Sequence, residues 1–304
     1  MTNGTDFGTK ASNVQAFSVR QFFARFPNDD ACLEHVMNVR YGLRHTCRKC
    51  GVEDATFHRL ANRKAYTCAH CGHHVYPCAG TIFQDSRTPL TVWFYAIYLF
   101  VATRHGVSGK ELQRQLGVTY KTAYRIGMQI RKLIGTIGEA QFVALKGHVE
   151  IDEALIGGKR PMKDKMSNKT VVVGLKERGG RIVTEVVPDT KRATLRKVVL
   201  MTVQPQTTVS TDEHAGYDLL EGADYTHGRV NHRSDQWAKT DPETGVVHHV
   251  QHVESFWRLF KYSVKSTHIH VSQKLMQHYL DEFTFRSNHR EMGNAMFDLI
   301  VAAI

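Results

Sequence analysis

Apolar side chains recur at helical spacing across residues 16–40 (AFSVRQFFARFPNDDACLEHVMNVR), which predicts two short helices with Asn28 or Asp29 capping the second. A helical period returns over 88–138, broken at Gly106 and again at Gly117. Within it Leu90–Ala102 (LTVWFYAIYLFVA) is apolar throughout. Its 13 residues fall short of the roughly 20 that a membrane helix needs, so it reads as a buried helix. From about Lys146 the pattern changes to short β-branched runs: 148–156, 170–176, 181–187 and 207–211. Gly179-Gly180 joins the second and third as a hairpin, and 191–203 reads as a helix before the fourth. The order β-β-β-α-β, followed by more helices from about Val250, describes a mixed α/β layer. Residues 231–250 form a long polar loop between them. The chain thus divides into an N-terminal helical segment (1–40), a Cys/His/Gly-rich module (41–80), a helical region (81–145) and an α/β domain (146–304).

Charge sharpens this division. The chain of 304 residues carries a formal +11, and residues 1–145 hold 18 Lys/Arg against 9 Asp/Glu, whereas 146–304 hold 22 against 20. The first half suits a polyanionic partner, and the second holds most of the carboxylates. The polar start, Met1 to Gln15, lacks the apolar core of a signal peptide, and no segment predicts a membrane span. Cytoplasmic placement is therefore expected, and with it cysteines that bind metal or pack in cores.

Cys47-x-x-Cys50 and Cys68-x-x-Cys71 stand 17 residues apart, a zinc-ribbon spacing. Gly51 and Gly72 follow each pair and allow a tight knuckle. Four thiolates close a tetrahedral shell, so the Zn²⁺ they imply is structural; a redox pair or buried thiols are the alternatives. Cys32 and Cys78 fall outside the pattern and read as core residues. Arg44, Arg48, Lys49, Arg59, Arg63 and Lys64 surround the module as phosphate contacts or as a solvated face. Residues 108–134 fit a helix-turn-helix, with Ser108 and Glu111 as a capping box and Thr119 as the second N-cap. Tyr120, Lys121, Thr122 and Arg125 then lie at the start of the second helix, where DNA is read. Leu112, Leu116, Val118, Ala123 and Ile126 would form its small core; two ordinary packed helices are the alternative.

Three acids stand in unusual contexts. Asp152 is mid-strand and shares a face with Glu150 and Ala154; Asp212 ends the fourth strand; Glu254 opens an apolar helical segment. Carboxylates gathered at one sheet edge repel unless cations neutralise them, and Mg²⁺ (or Mn²⁺) is the hard ion suited to oxygen ligands. His227, His232, His248, His249 and His252 lack compact ligand spacing and read as solvated or DNA-contacting, with His249 or His252 near the acids.

The ordered set CxxC…CxxC, GTIFQDSRTPLTVWFYAIYLF, the helix-turn-helix, EIDEALIGGK, STDEHAGY, VESFWRLFK and HVSQKLMQHYLDEFTFRSN resembles the ISXO-like bacterial insertion-sequence transposases. The resemblance runs from about residue 20 to 290. It implies a ribonuclease H-like (integrase-like) catalytic domain in which Asp152, Asp212 and Glu254 form a DDE triad binding two Mg²⁺. It also implies that Lys261, seven residues after Glu254, holds substrate DNA, with Arg258 in the same DNA-facing set. The partners it implies are double-stranded DNA and further copies of the chain, as a dimer or larger multimer, in a nucleoid-associated cytoplasmic setting. One departure is that Gln251 stands where the family usually has Asn, three positions before the Glu. A non-catalytic DNA-binding regulator and a nuclease for RNA–DNA hybrids are the competing readings.

Overall fold

A computed structural model describes residues 18–157, 169–220, 224–293 and 295–304. Met1 to Gln15 and the end of the EIDEALIGGK motif (Gly158 and Lys159) lie outside the described residues.

The N-terminal segment folds as α1 (Val19–Arg25) and α2 (Asp29–Tyr41). Ser18 and Gln21 form a reciprocal capping box on α1, and Asn28 caps α2 by accepting from the Ala31 amide. Four short strands follow in the order β1 (Arg44–His45), β2 (Ala55–Arg59), β3 (Tyr66–Cys68) and β4 (His74–Val75), all antiparallel. Then come α3 (Leu90–Ala102), α4 (Gly109–Leu116) and α5 (Tyr120–Ala140). The first peptide groups of α3 find their acceptor in another helix: both oxygens of Asp29 take the Leu90 and Thr91 amides at 2.9 Å.

The α4–turn–α5 unit forms as the spacing predicts, with Gly117 in the left-handed region at φ 63°. Two details differ. The capping box at α4 is half-made: Ser108 accepts the Glu111 amide, but the Glu111 carboxylate turns to Arg114 and Gln115. The unit also has no separate core, because Leu112, Ala123 and Ile126 merge with α1–α3, the cysteine module and the C-terminal α9 (Ala295–Ala302) in one apolar cluster. A chain end packed on the chain start is a long-range contact that no local pattern reveals.

The α/β region is built on β5 (His148–Ile156), β6 (Thr170–Glu177), β7 (Ile182–Val187), α6 (Arg192–Thr202), β8 (Thr207–Thr211) and β9 (Tyr225–Arg229). The sheet order is β7-β6-β5-β8-β9; β7, β6 and β5 pair antiparallel, and β5, β8 and β9 pair parallel. This mixed five-stranded sheet is the ribonuclease H-like arrangement. The polar loop contains a minimal hairpin, β10 (Lys239–Thr240) with β11 (Val247–His248). Then follow α7 (Gln251–Ser263) and α8 (Met276–His289).

Alternation along β5 assigns its two faces. Val149 and Ile151 enter the cluster with α6 (Leu195, Val198, Val199), whereas Ala154 and Ile156 enter the cluster with α7 and α8. The outer peptide groups of edge strand β7 are taken by α8: Asn288 bonds both groups of Ile182, and Gln277 accepts from Val186.

The C-terminal half of α5 ties the helix-turn-helix to this layer. Arg131 (2 % exposed) donates to Glu282 of α8 (1 % exposed) at 2.7 Å and to the Val107 carbonyl at 2.9 Å; Arg286 takes the other Glu282 oxygen. Removing one member of such a group strands buried charge at a cost of about 3–5 kcal/mol. Glu282→Ala is therefore expected to lower unfolding stability by about that amount in urea titrations. A loss below about 1 kcal/mol would show that the two arginines find other partners.

Candidate active site

The cysteine module closes as its spacing predicts. The Sγ atoms of Cys47, Cys50, Cys68 and Cys71 all lie within 4.8 Å of one another. Two matched knuckles hold them: the Gly51 amide donates to the Cys47 carbonyl at 2.9 Å, and the Gly72 amide to the Cys68 carbonyl at 3.0 Å. Both glycines adopt positive φ, 71° and 69°. Backbone N–H groups of Cys50 and Lys49 draw the Cys47 thiol down to about 6. Cys71 accepts from the His73 backbone, yet burial and the three other sulfurs push it up to about 11. Four thiols this close cannot all ionise unaided, and a dication among them removes the conflict. Cys32 and Cys78 are buried, as expected. Of the surrounding basic residues, Arg44 pairs with Asp54 and Arg59 with Asp30, so both are committed within the fold.

The three acids of the α/β layer reach one place by separate routes. Parallel pairing sets Glu150 opposite Ser210; continuing that register two positions, one past the end of β8, brings Asp212 beside Asp152. Asp212 accepts the His214 amide at 3.0 Å, which turns the chain away from the sheet. Glu254 arrives on the first turn of α7, whose Val253, Phe256, Trp257 and Phe260 pack on the sheet face holding Ala154 and Val172. That contact is close because Gly174, paired with Asp152 across β5–β6, leaves room for the Trp257 ring; a Cβ there would sit 2.6 Å from it. The same helix presents Arg258 and Lys261, both exposed.

Electrostatics record the convergence. Burial, then Glu153, Asp212 and Glu254, drive the Asp152 carboxyl up to about 8, and Lys261 opposes them. Glu153 faces the other side of β5. Burial raises it as well, against the Tyr217 hydroxyl that donates to it at 2.7 Å. A carboxyl perturbed this strongly by burial and by neighbouring acids marks a candidate functional site, and a cation among the acids would relieve their repulsion.

Glu150, which shares a strand face with Asp152 and had no role legible in the sequence, is a clamp. It is fully buried and receives Arg178 Nε at 2.8 Å, the His252 amide at 2.8 Å, the Val253 amide at 3.3 Å and His252 Nδ1 at 2.7 Å. Burial alone would raise its carboxyl, but bonds from His252 and Arg178 hold it below the ordinary carboxylate range. It thus fastens the α7 N-terminus, and with it Glu254, to the strand that carries Asp152. With His249 and His252 it also forms a compact set of ligand atoms. Arg178 and the positive end of α7 already neutralise it, so we read an ion-paired clamp rather than a metal centre.

The histidines correct the sequence reading. His248 is 2 % exposed, and its Nδ1 meets Ser210 Oγ at 2.9 Å; His148 Nε2 meets the same hydroxyl at 2.7 Å. His227 Nε2 meets Thr211 Oγ1 at 2.9 Å. These rings are packed into the sheet, and only His252 remains half-exposed. The polar loop folds back over β8 and β9, so its composition misled about burial. Burial, with Arg178 beside one and Arg229 beside the other, holds His148 and His227 down to about 4. Unfolded histidine titrates near 6.5, so on acidification the unfolded chain binds protons that the folded one refuses. The contribution of these two rings to stability is therefore complete above about pH 6.5 and is lost as pH drops toward 4. His227→Gln is expected to flatten that slope in urea titrations with zinc retained; an unchanged slope would count against the buried neutral ring.

Tyr120, Lys121 and Arg125 line the exposed start of α5, with Thr122 half-buried; Tyr120 is 44 % exposed. Two are partly engaged: Lys110 lies 4.8 Å over the Tyr120 ring, and Arg125 stacks on Trp93 at 5.4 Å. Lys121 and Arg125, four residues apart, lie on one face of α5.

Residues 144–288 match the profile of the ISXO2-like transposase domain, and residues 27–74 that of the transposase zinc-ribbon domain. The chain carries both domains of the ISXO-like transposases. A protein in transposable element ISH50 of Halobacterium salinarum is 28 % identical over 264 residues, covering 79 % of this chain and 83 % of that protein. A transposase-like protein of Haemophilus influenzae is 27 % identical over 112 residues, 37 % of this chain and 85 % of its own length. Both family domains fall on structural units described above: the ribbon profile spans α2 to β4, and the transposase profile spans the sheet through α8. No helix among the described residues is long and apolar enough to cross a membrane.

Proposed function

We propose that the chain is an insertion-sequence transposase that binds its element's terminal repeats, hydrolyses a phosphodiester there and joins the 3′-hydroxyl to target DNA. The observation that carries this reading is the half-buried Asp152 carboxyl, set beside Asp212 and Glu254 and pushed up to about 8. Asp152, Asp212 and Glu254 would hold the divalent ions. Bound there, Mg²⁺ or Mn²⁺ supplies Lewis acidity for attack on phosphorus and for the leaving oxygen.

The protein's own groups do the rest. The Glu150 clamp fixes α7, so Glu254 keeps its distance from Asp152. Lys261 and Arg258 face outward from the same helix and would hold the phosphates on either side of the scissile bond. The α5 start, with Tyr120, Lys121, Thr122 and Arg125, would read the terminal repeat, and the zinc ribbon would add backbone contacts through exposed Arg48, Lys49 and Arg63. Two ends must be processed together, so a dimer or larger multimer on DNA belongs to the proposal.

The test is cleavage and joining of labelled duplex DNA carrying the inverted repeats that flank the gene, in Mg²⁺ or EDTA, with wild type and Asp212→Asn. Products that need metal and vanish in the variant are expected. Tight binding without products would favour a DNA-binding regulator, and preferential cutting of RNA–DNA hybrids a nuclease.

A further inference from the structure

The loop after β9 carries a side chain that the triad does not use. Asn231 caps a short turn over His232–Ser234, its Oδ1 accepting the Arg233 amide at 3.0 Å. The His232 amide donates to Oε2 of Glu213, the residue next to Asp212, at 3.0 Å. These bonds fix the loop beside the triad. The His232 ring then lies against Trp237, 4.7 Å between centroids, with Nε2 3.5 Å from Glu254 Oε1. Its side chain is 21 % exposed, yet both ring nitrogens are shielded from solvent and neither has a hydrogen-bond partner.

An imidazole with both nitrogens unmet is unusual, because shielded polar atoms are nearly always bonded. At 3.5 Å the Glu254 contact is longer than a charge-assisted hydrogen bond. The separation suits a different arrangement. Two ligands bound to one ion at about 2.1 Å stand about 3–3.5 Å apart.

We propose that His232 is a nitrogen ligand of the divalent ion that Glu254 holds, so that half of the site has mixed nitrogen and oxygen donors. The proposal rests on the triad reading and deepens it. Mg²⁺ favours all-oxygen shells, whereas imidazole suits transition ions. The Glu254 half of the site therefore favours Mn²⁺ relative to an all-carboxylate site, and the Asp152–Asp212 half does not.

The test uses the full-length chain with its ribbon zinc-loaded and Mn²⁺ as the probe, read by electron spin-echo envelope modulation and by titration. In wild type, ¹⁴N coupling from a directly bound imidazole is expected. In His232→Asn the coupling disappears, and Mn²⁺ affinity at one site falls about tenfold while Mg²⁺ affinity changes less than about threefold. Unchanged zinc content and circular dichroism confirm that the variant is folded. Mn²⁺ bound in an Asp152-dependent way without ¹⁴N coupling, or with coupling that survives His232→Asn, overturns the proposal and leaves His232 as an ion-pair partner of Glu254. Mn²⁺ binding indifferent to Asp152→Asn brings down the triad reading, and this proposal with it.

Discussion

Asp152→Asn is expected to abolish strand cleavage, by at least roughly 10³-fold, while binding to terminal-repeat DNA changes less than about twofold. Several kcal/mol of transition-state stabilisation come from metal ions held in such sites, and each 1.36 kcal/mol is about a factor of ten. Asn preserves the shape of the side chain and removes the charge that anchors a cation. The same change should raise the melting temperature of the metal-free protein. Asp152 has a folded pKa of about 8 against an unfolded value near 3.9. An acid raised in this way costs folding stability increasingly as pH climbs from 3.9 toward 8, and Asn removes that cost. Wild type should melt higher when Mg²⁺ is added, and the variant should not respond. The two effects together separate a catalytic carboxylate from a structural one, for which loss of activity and loss of stability go hand in hand. Cleavage retained within about tenfold of wild type would remove Asp152 from the reaction.

Zinc removal should have the largest structural effect. The four-strand ribbon has little apolar interior of its own, and a bound zinc contributes on the order of 10 kcal/mol to folding such modules. Cys47, Phe57, Tyr66 and Cys68 are nevertheless part of the larger N-terminal cluster, packed with α2 and α3. Chelation, or Cys68→Ser, is therefore expected to loosen the ribbon, expose that cluster and weaken DNA binding by more than about tenfold. The β5–α6–β8 core shares none of those residues and should keep its amide protection in hydrogen exchange. One zinc per chain should be found by elemental analysis of the protein as purified. Full DNA affinity after complete chelation would show that the ribbon contributes neither contacts nor the positioning of α5.

Local signals were sufficient for much of this protein. The 3.6-residue period predicted α5, an uninterrupted apolar run predicted α3, and β-branched runs between turn signals predicted the strands β5 to β8, because each pattern follows from which faces of an element are buried. The cysteine spacing predicted the ribbon, since a four-thiolate shell needs its ligands paired on two tight turns. Asp152, Asp212 and Glu254 stood out by their placement at a strand centre, a strand end and the head of an apolar helix. What the sequence left open depends on contacts between distant segments. The Glu150 clamp joins β5 to residues about a hundred positions later, and nothing local distinguishes a buried ion-paired Glu from a solvated one. His227, His232 and His248 read as solvated because they lie in or beside a polar stretch, yet the loop folds back and shields their rings. The α9 helix completes an N-terminal core from the other end of the chain. Periodicity and spacing determined the elements and the metal-binding sulfurs, because both arise from neighbouring residues. Only the tertiary structure decided which polar groups lose their water, because desolvation depends on what every other segment of the chain brings to the same place.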